Sequence, residues 1–344
     1  MTDLIIEKMG RAGHVTLNRP RALNALTHQM CLDLELAMID WAADDEVGLL
    51  LIDAMGEKAF CAGGDIVGIY NEGKSGQVDN ALKFWRDEYR LNHAISTYVK
   101  PYVAIMDGIV MGGGVGISAH GSHRVVTERT MFAMPECAIG LIPDVGGTYL
   151  LGQMPGVCGE YAGLTGARLT GADCIYAGIA DYLVPSDKLD DLKTALLDTG
   201  DVAVLQEFAI VPDGSVLEEN RASIDAIFAL GRIDEILLSL QGDPTDFTQT
   251  ALKGLSRGAP LSLKTTLAAI RAAREDGSLL GALRNEYRIV STCLQDGELI
   301  EGIRAMVIDK DRSPKWKYPT LESVPQDMID RLYQPAQGGD FAVE

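Results

Sequence analysis

Two carboxylates, Glu136 and Asp144, fall in the single stretch FAMPECAIGLIPDVGG (132–147), and a glycine run, MGGGVG (111–116), precedes them. A second glycine pair, Gly63 and Gly64, closes the turn-rich segment GEKAFCAGGD (56–65). Glycine turns let backbone N–H groups approach a ligand closely, which is how a protein prepares a site for a developing oxyanion. Two acids beside such a site can hold one neutral and one ionised, so that environment divides general acid from general base. On spacing alone another reading stays open, in which Asp144 caps a helix and Glu136 is a surface acid. A third acid, Glu88, lies in FWRDEYRLNH (84–93) beside an apolar stripe of Trp85, Tyr89 and either Asn92 or His93. By itself it reads equally as a solvated helix acid.

Competing motifs are weaker. Gly114-x-Gly116-x-x-Ala119 fits the dinucleotide fingerprint, but it follows a hundred residues of other structure and lacks a well-placed acid at the ribose position. Neither glycine cluster continues as Gly-Lys-Ser/Thr, which sets aside a nucleotide P-loop. Gly116-Ile-Ser-Ala-His120 lacks the last glycine of a nucleophile elbow. Cys137 is a conceivable nucleophile with no histidine dictated as partner. His120 and His123 are spaced like metal ligands, yet no third ligand completes a set, so capping and core hydrogen bonding are expected there and no metal is assigned.

The elements that must carry these residues follow from periodicity. Residues 3–18 and 47–54 read as strands, Asn24 to Trp41 as an amphipathic helix, and 66–99 as mostly helical. VAIMDGIV (103–110) is apolar enough for a strand buried on both faces, and GGGVG then opens a helix. Residues 123–128 and 131–135 alternate strand with turn, and a helix is expected to start at Pro143 and Asp144. Strand and helix in alternation give an α/β class. Beyond about Pro185 the chain reads as amphipathic helix without strands. The expected organisation is an α/β core over 1–190 and a helical region over 191–344, with a proline-rich, locally basic tail ending in a frayed GGDFAVE.

With 47% hydrophobic and 23% charged residues, the chain can bury a large core. Its net charge of −19 repels nucleic acid and anionic membrane surfaces, so neither is expected as a partner. No apolar run reaches membrane-spanning length, and the N-terminus lacks the pattern of a secretory signal. Six scattered cysteines without a C-x-x-C pair suggest buried, reduced thiols and a cytoplasmic setting.

Taken together, NRPRALNAL (18–26), GEKAFCAGGD (56–65), KPYVAIMDGIVMGGGVG (100–116), FAMPE (132–136), GLIPDVGGTYLL (140–151) and LTGARLTGADCIYAGIADYLVP (164–185) resemble the enoyl-CoA hydratase/isomerase (crotonase) superfamily. The resemblance implies a spiral of β-β-α units with a helical C-terminal region. It also implies an acyl-CoA thioester carbonyl held between two backbone N–H groups, at Gly64 and Gly113, aided by the N-terminal end of the helix following Gly114. In the hydratases two glutamates hold a water. Here the first of those positions is Gly116, the second survives as Glu136, and Asp144 stands where hydratases tend to have glycine. That pattern, with FWRDEYRLNH and the tail segment DKDRSPKW (309–316), is similar to the thioester-hydrolase members of the superfamily.

The implied activity is hydrolysis of a short, branched 3-hydroxyacyl-CoA. Glu136 would serve as base toward water or as nucleophile through a mixed anhydride, Asp144 would orient water or substrate, and Glu88 would bond the 3-hydroxyl. Arg21 and Lys58 are the implied partners of the coenzyme phosphates, with Ala22, Leu23, Ala62, Asp65 and Ile66 lining the adenine and pantetheine path. Lys315 and Lys317 are further candidates, or plain surface lysines. No separate cofactor is implied, since CoA is part of the substrate. The expected partners are the small-molecule thioester and, from the superfamily's habit, further copies of the chain. A hydratase or isomerase, and a non-catalytic CoA-binding member, are the alternatives.

Overall fold

The computed structural model describes residues 2–336 and 339–343. The chain opens with an antiparallel pair, β1 (Leu4–Met9) and β2 (Ala12–Leu17), followed by α1 (His28–Ala42). Helix α1 begins later than its apolar spacing suggests. Leu23 and Asn24 are left-handed, with φ of 50° and 55°, and Thr27 supplies the cap by accepting from the Met30 N–H.

Three β-β-α turns follow. The first is β3 (Leu49–Ala54), β4 (Ala59–Cys61) and α2 (Ile66–Ser75), after which α3 (Val78–Ser96) is inserted. The second is β5 (Tyr102–Met106), β6 (Ile109–Met111) and α4 (Gly113–Gly116); the third is β7 (His123–Val126), β8 (Met131–Ala133) and α5 (Gly147–Gln153). Two short strands complete the set, β9 (Leu169–Thr170) and β10 (Tyr182–Leu183). The first strand of each turn joins a six-stranded sheet of order β1-β2-β3-β5-β7-β10, and the second joins a four-stranded sheet of order β4-β6-β8-β9. Strand β5 is apolar throughout and β3 is apolar apart from Asp53, because parallel strands are covered on both faces.

This alternation explains why the expected strand over 103–110 is two strands. At Asp107-Gly108 the chain leaves one sheet for the other. Gly108 has φ of 79°, and a Cβ there would lie 2.7 Å from the Lys58 carbonyl oxygen. The helical run expected over 66–99 is likewise two helices, because Gly76 is left-handed with φ of 76°. Each turn delivers a candidate residue from the end of its second strand: Gly64 after β4, Gly113 after β6 and Glu136 after β8.

The chain forms two compact units that interleave in sequence. One comprises Met1–Gly64, Asp87–Phe132 and Arg168–Glu218; the other comprises Asp65–Arg86, Ala133–Ala167 and Glu219–Glu344. A boundary near residue 190 would cut the helix Leu189–Thr199, whose Leu189, Leu192 and Leu196 pack on Leu49, Leu51, Val103 and Val125 of the six-stranded sheet. The change of composition there marks the end of the strands, and the helix still belongs to their core. The end of the chain also departs from the frayed expectation, although Gly338 and Glu344 lie outside the described residues. Phe341 is fully buried and Asp340 accepts from Arg288 at 2.5 and 3.0 Å, so the tail is held by both packing and charge.

Asn24 ties the segment before α1 to the strands that carry the first glycine pair. Its side chain accepts from the Arg19 N–H at 2.9 Å and donates to the Met55 and Ala59 carbonyls at 3.1 and 2.9 Å. Asparagine also tolerates the left-handed backbone better than most residues. Replacing it with alanine leaves one buried and two part-buried backbone groups without their partner and adds backbone strain. Asn24→Ala should therefore lower the unfolding free energy by about 2–4 kcal/mol in urea titration, and a loss below about 0.5 kcal/mol would contradict that role.

Candidate active site

In the first unit, two backbone segments converge. The Leu26 N–H donates to Gly63 O at 2.9 Å and the Ala62 N–H to Leu23 O at 3.0 Å, which docks the glycine pair against the chain entering α1. Gly63 and Gly112 have φ of 118° and 48°, so each turn is one that side chains disfavour. Gly113 begins α4, and the leading N–H groups of a helical turn have no acceptor inside it. A Cβ built on Gly113 would lie 3.3 Å from Gly64 N and 2.7 Å from Glu88 Oε1. The glycine therefore keeps open a space bordered by two backbone segments and a carboxyl.

Glu88 is 3% exposed, which rules out the solvated-acid reading. Helix α4 is a single turn, so the expected help from a helix dipole reduces to its local N–H groups. Gly114 serves packing, since a Cβ there would come within 2.4 Å of the Cys61 carbonyl oxygen.

In the second unit, Glu136 opens a 3₁₀ turn (Glu136–Ile139) and Asp144 lies in the turn before α5; both are buried. Neither is the surface acid or helix cap that spacing left open. The cap of α5 is Gly146, and the helix starts after Val145 and Gly146 at φ of 54° and 80°, later than the expected start at Pro143. The turn closes through the Gly147 N–H, which donates to Asp144 O at 2.6 Å.

A third acid holds that turn. Glu286, from the helix Leu279–Asp296, accepts from the Gly146 N–H at 2.7 Å, the Thr148 N–H at 2.9 Å and the Thr148 hydroxyl. Burial, with the charges of Asp144 and Glu286 adding to it, pushes the Glu136 carboxyl well above its usual range. Burial also pushes Glu286 up to about 7, against the lowering effect of the Thr148 and Gly146 hydrogen bonds. Glu136 Oε2 is buried without a hydrogen-bond partner among the described residues. A buried polar atom left open in this way is costly and marks a place for a ligand atom or water.

The remaining candidates divide. Arg21, Leu23 and Lys58 line one cavity of about 400 Å³ with Asn24, Met55 and Ala59, so the two implied phosphate partners share a recess. Ala22 is exposed and Ala62 half-buried nearby in the chain, while Asp65 and Ile66 lead into α2 in the second unit. Lys317 is committed to Asp296 at 2.5 Å, and the Lys315 backbone N–H donates to Glu301 at 2.7 Å.

Burial pushes the Cys137 thiol up to about 12, and its Sγ contacts Thr266 Oγ1 at 3.2 Å, so it is a core thiol and a poor nucleophile. The other cysteines are likewise buried and free. His123 stacks on Tyr182 and bonds Ser122, a structural placement. Among the described residues no group of three or more His, Cys, Asp or Glu is arranged to hold a metal ion, and no helix is long and apolar enough to cross a membrane.

Glu286 has no place in the sequence reading. Its one local signal is an acid at i+3 from Leu283 on the apolar stripe that continues through Val290. Asn92 is settled by the structure as the residue on the stripe of α3, fully buried where His93 is half-exposed.

Residues 12–333 match the family model for enoyl-CoA hydratase/isomerase. The chain belongs to the enoyl-CoA hydratase/isomerase family, and its fold is of the crotonase type. It is 42% identical over 354 residues to the 3-hydroxyisobutyryl-CoA hydrolase, mitochondrial, of Danio rerio, covering 99% of this chain and 91% of that protein. It is 41% identical over 352 residues to the protein of the same name from Homo sapiens, covering 98% and 90%. Among solved structures, an enoyl-CoA hydratase from Rhodobacter sphaeroides 2.4.1 superposes with a TM-score of 0.95 at 42% identity, covering 99% of this chain and 100% of that one. A carnitinyl-CoA dehydratase from Mycobacterium thermoresistibile gives the same score and identity over 98% of each chain.

The raised Glu286 carboxyl links stability to pH. The folded chain retains a proton that the unfolded chain releases near 4.5, so this contribution is complete below that value and is lost as pH rises through about 7. Glu286→Gln cannot ionise. Its unfolding free energy should fall less than that of the parent between about pH 5 and about pH 8. Equal slopes for the two proteins in urea titrations at both pH values would remove this assignment.

Proposed function

We propose that the protein hydrolyses a short, branched 3-hydroxyacyl-CoA, with 3-hydroxyisobutyryl-CoA as the substrate, giving 3-hydroxyisobutyrate and CoA in valine catabolism. The observation that carries the reading is Glu136, a buried carboxyl with an open oxygen and a raised proton affinity beside a second buried acid. The names of the relatives from Danio rerio and Homo sapiens support the same substrate. The hydratase and dehydratase names of the two solved structures favour the alternative, water addition to a double bond. Against that alternative stands Gly116, which supplies no second carboxylate to hold the water.

In this reading the Gly64 and Gly113 N–H groups polarise the thioester carbonyl, and Glu136 takes a proton from water as it attacks the carbonyl carbon. The tetrahedral oxyanion rests on the two N–H groups. As the C–S bond breaks, Glu136 returns that proton to the departing sulfur, whose thiolate is the stronger base, and is left ionised. Asp144 orients the water, and Glu88 accepts from the 3-hydroxyl. The other course, attack by ionised Glu136 to form an anhydride, is told apart by a single turnover in ¹⁸O-labelled water. Attack of that water on the Glu136 carbonyl of the anhydride would leave the first acid product unlabelled.

Arg21 and Lys58, exposed cations beside their shared recess, supply the positive charge that CoA phosphates need on an acidic protein. The coenzyme enters only as part of the substrate. A cytoplasmic location remains our reading and rests on the six free thiols. The two named relatives are mitochondrial, and a reducing matrix would suit those thiols equally.

Thiol release from 3-hydroxyisobutyryl-CoA and hydration of crotonyl-CoA, measured side by side, test the assignment. Thiol release should dominate; rapid hydration with negligible thiol release would overturn it. Glu136→Gln should lower kcat by about a thousandfold or more while calorimetry shows CoA binding intact, and full turnover in that variant would exclude Glu136 from the chemistry. Lys58→Glu should raise KM about tenfold with kcat little changed, and the defect should shrink in high salt. An unchanged KM would remove Lys58 from the CoA site.

A further inference from the structure

Asn92 lies on α3 and is fully buried, yet neither Oδ1 nor Nδ2 of its side chain has a hydrogen-bond partner among the described residues. Burying an amide with both ends open costs free energy that a leucine or methionine at the same place would avoid. Such a group is retained for something that arrives later, or for an ordered water.

Its position shows what could arrive. Asn92 follows Glu88 by four residues on one helix, so the two side chains emerge on the same face about one turn apart. Glu88 in turn places Oε1 beside Gly113, 2.7 Å from where a Cβ would stand, and that point is 3.3 Å from Gly64 N. Within one compact unit the backbone pair, the Glu88 carboxyl and the open Asn92 amide therefore succeed one another.

We propose that Asn92 is a specificity-determining residue that recognises the hydroxyl of the acyl group; the inference rests on the thioester-hydrolase reading and extends it to acyl selection. A carboxylate can only accept, so Glu88 alone accepts the hydrogen bond that the hydroxyl donates and leaves the hydroxyl oxygen's lone pairs unanswered. The Asn92 Nδ2–H supplies the missing donor. A site with a matched donor and acceptor rejects an analogue lacking the hydroxyl, because its buried polar groups then stay unpaired. The residue thus biases the enzyme toward hydroxylated acyl groups and against the plain branched acyl-CoA of the same carbon skeleton.

The test compares 3-hydroxyisobutyryl-CoA with isobutyryl-CoA in the parent and in Asn92→Leu, which keeps the volume and removes both polar atoms. In the variant, kcat/KM for the hydroxylated thioester should fall about tenfold and that for isobutyryl-CoA should change less than about twofold, so the preference collapses. Melting temperature should hold or rise, because two unpaired buried atoms have gone. A preference that survives the substitution overturns the proposal. A parallel loss on both thioesters with a lowered melting temperature also overturns it, since that is the mark of an amide held by internal water for the fold. Asn92→Ala repeats the comparison where leucine disturbs packing. Calorimetric affinities for the two thioesters are measured alongside: absence of thiol release in the parent would fail the hydrolase reading, while the affinity ratio still decides the part played by Asn92.

Discussion

The turn that carries Asp144 depends on a carboxyl from 142 residues further along the chain, Glu286. Val145 is β-branched and left-handed, a conformation that costs about 1–3 kcal/mol and persists only where surroundings over-determine it. Glu286 does so by accepting from the N–H groups on either side of Gly147 and from the Thr148 hydroxyl. The same bonds offset part of the cost of burying Glu286, whose proton affinity is raised by that burial and by the nearby charge of Asp144. One side chain thus couples backbone strain, acid placement and acid strength in the second unit.

The first unit uses a complementary device. Where the second unit concentrates buried acids, the first removes side chains. Gly113 leaves room between Gly64 and Glu88, and Gly114 lets the same turn press on β4 through Cys61. A one-turn helix contributes little dipole, so the positive character of the space comes from individual N–H groups and depends on their exact aim. That aim is set by the docking of residues 62–64 on the segment before α1, which Asn24 in turn holds. The hydrogen bonds that stabilise this segment also set the position of Gly64, so loosening the Asn24 segment would move it.

Much of the architecture was legible because periodicity reports burial. The apolar runs of β3 and β5, the stripe on α3 and the amphipathic helices of the second half each appear in the sequence at their own repeat. What periodicity could not report is where a continuous apolar run changes sheets. VAIMDGIV (103–110) reads as one strand, and only the left-handed Gly108 against the Lys58 carbonyl divides it. The same limit hid the break at Gly76 and the late start of α1, where Leu23 and Asn24 adopt a backbone that local propensity does not favour.

By itself the sequence determined the α/β class, the glycine turns, the pair Glu136 and Asp144, and the absence of a carboxylate at position 116, because each is a matter of residue type and local spacing. The tertiary structure decided that Glu88, Glu136 and Asp144 are buried, that Glu286 joins the two acids of its unit, and that Asn92 faces inward with its amide open. The physical reason is range. Side-chain identity and period act over a few residues, whereas burial, carboxyl–carboxyl repulsion and the satisfaction of a buried polar atom depend on groups that only folding brings together.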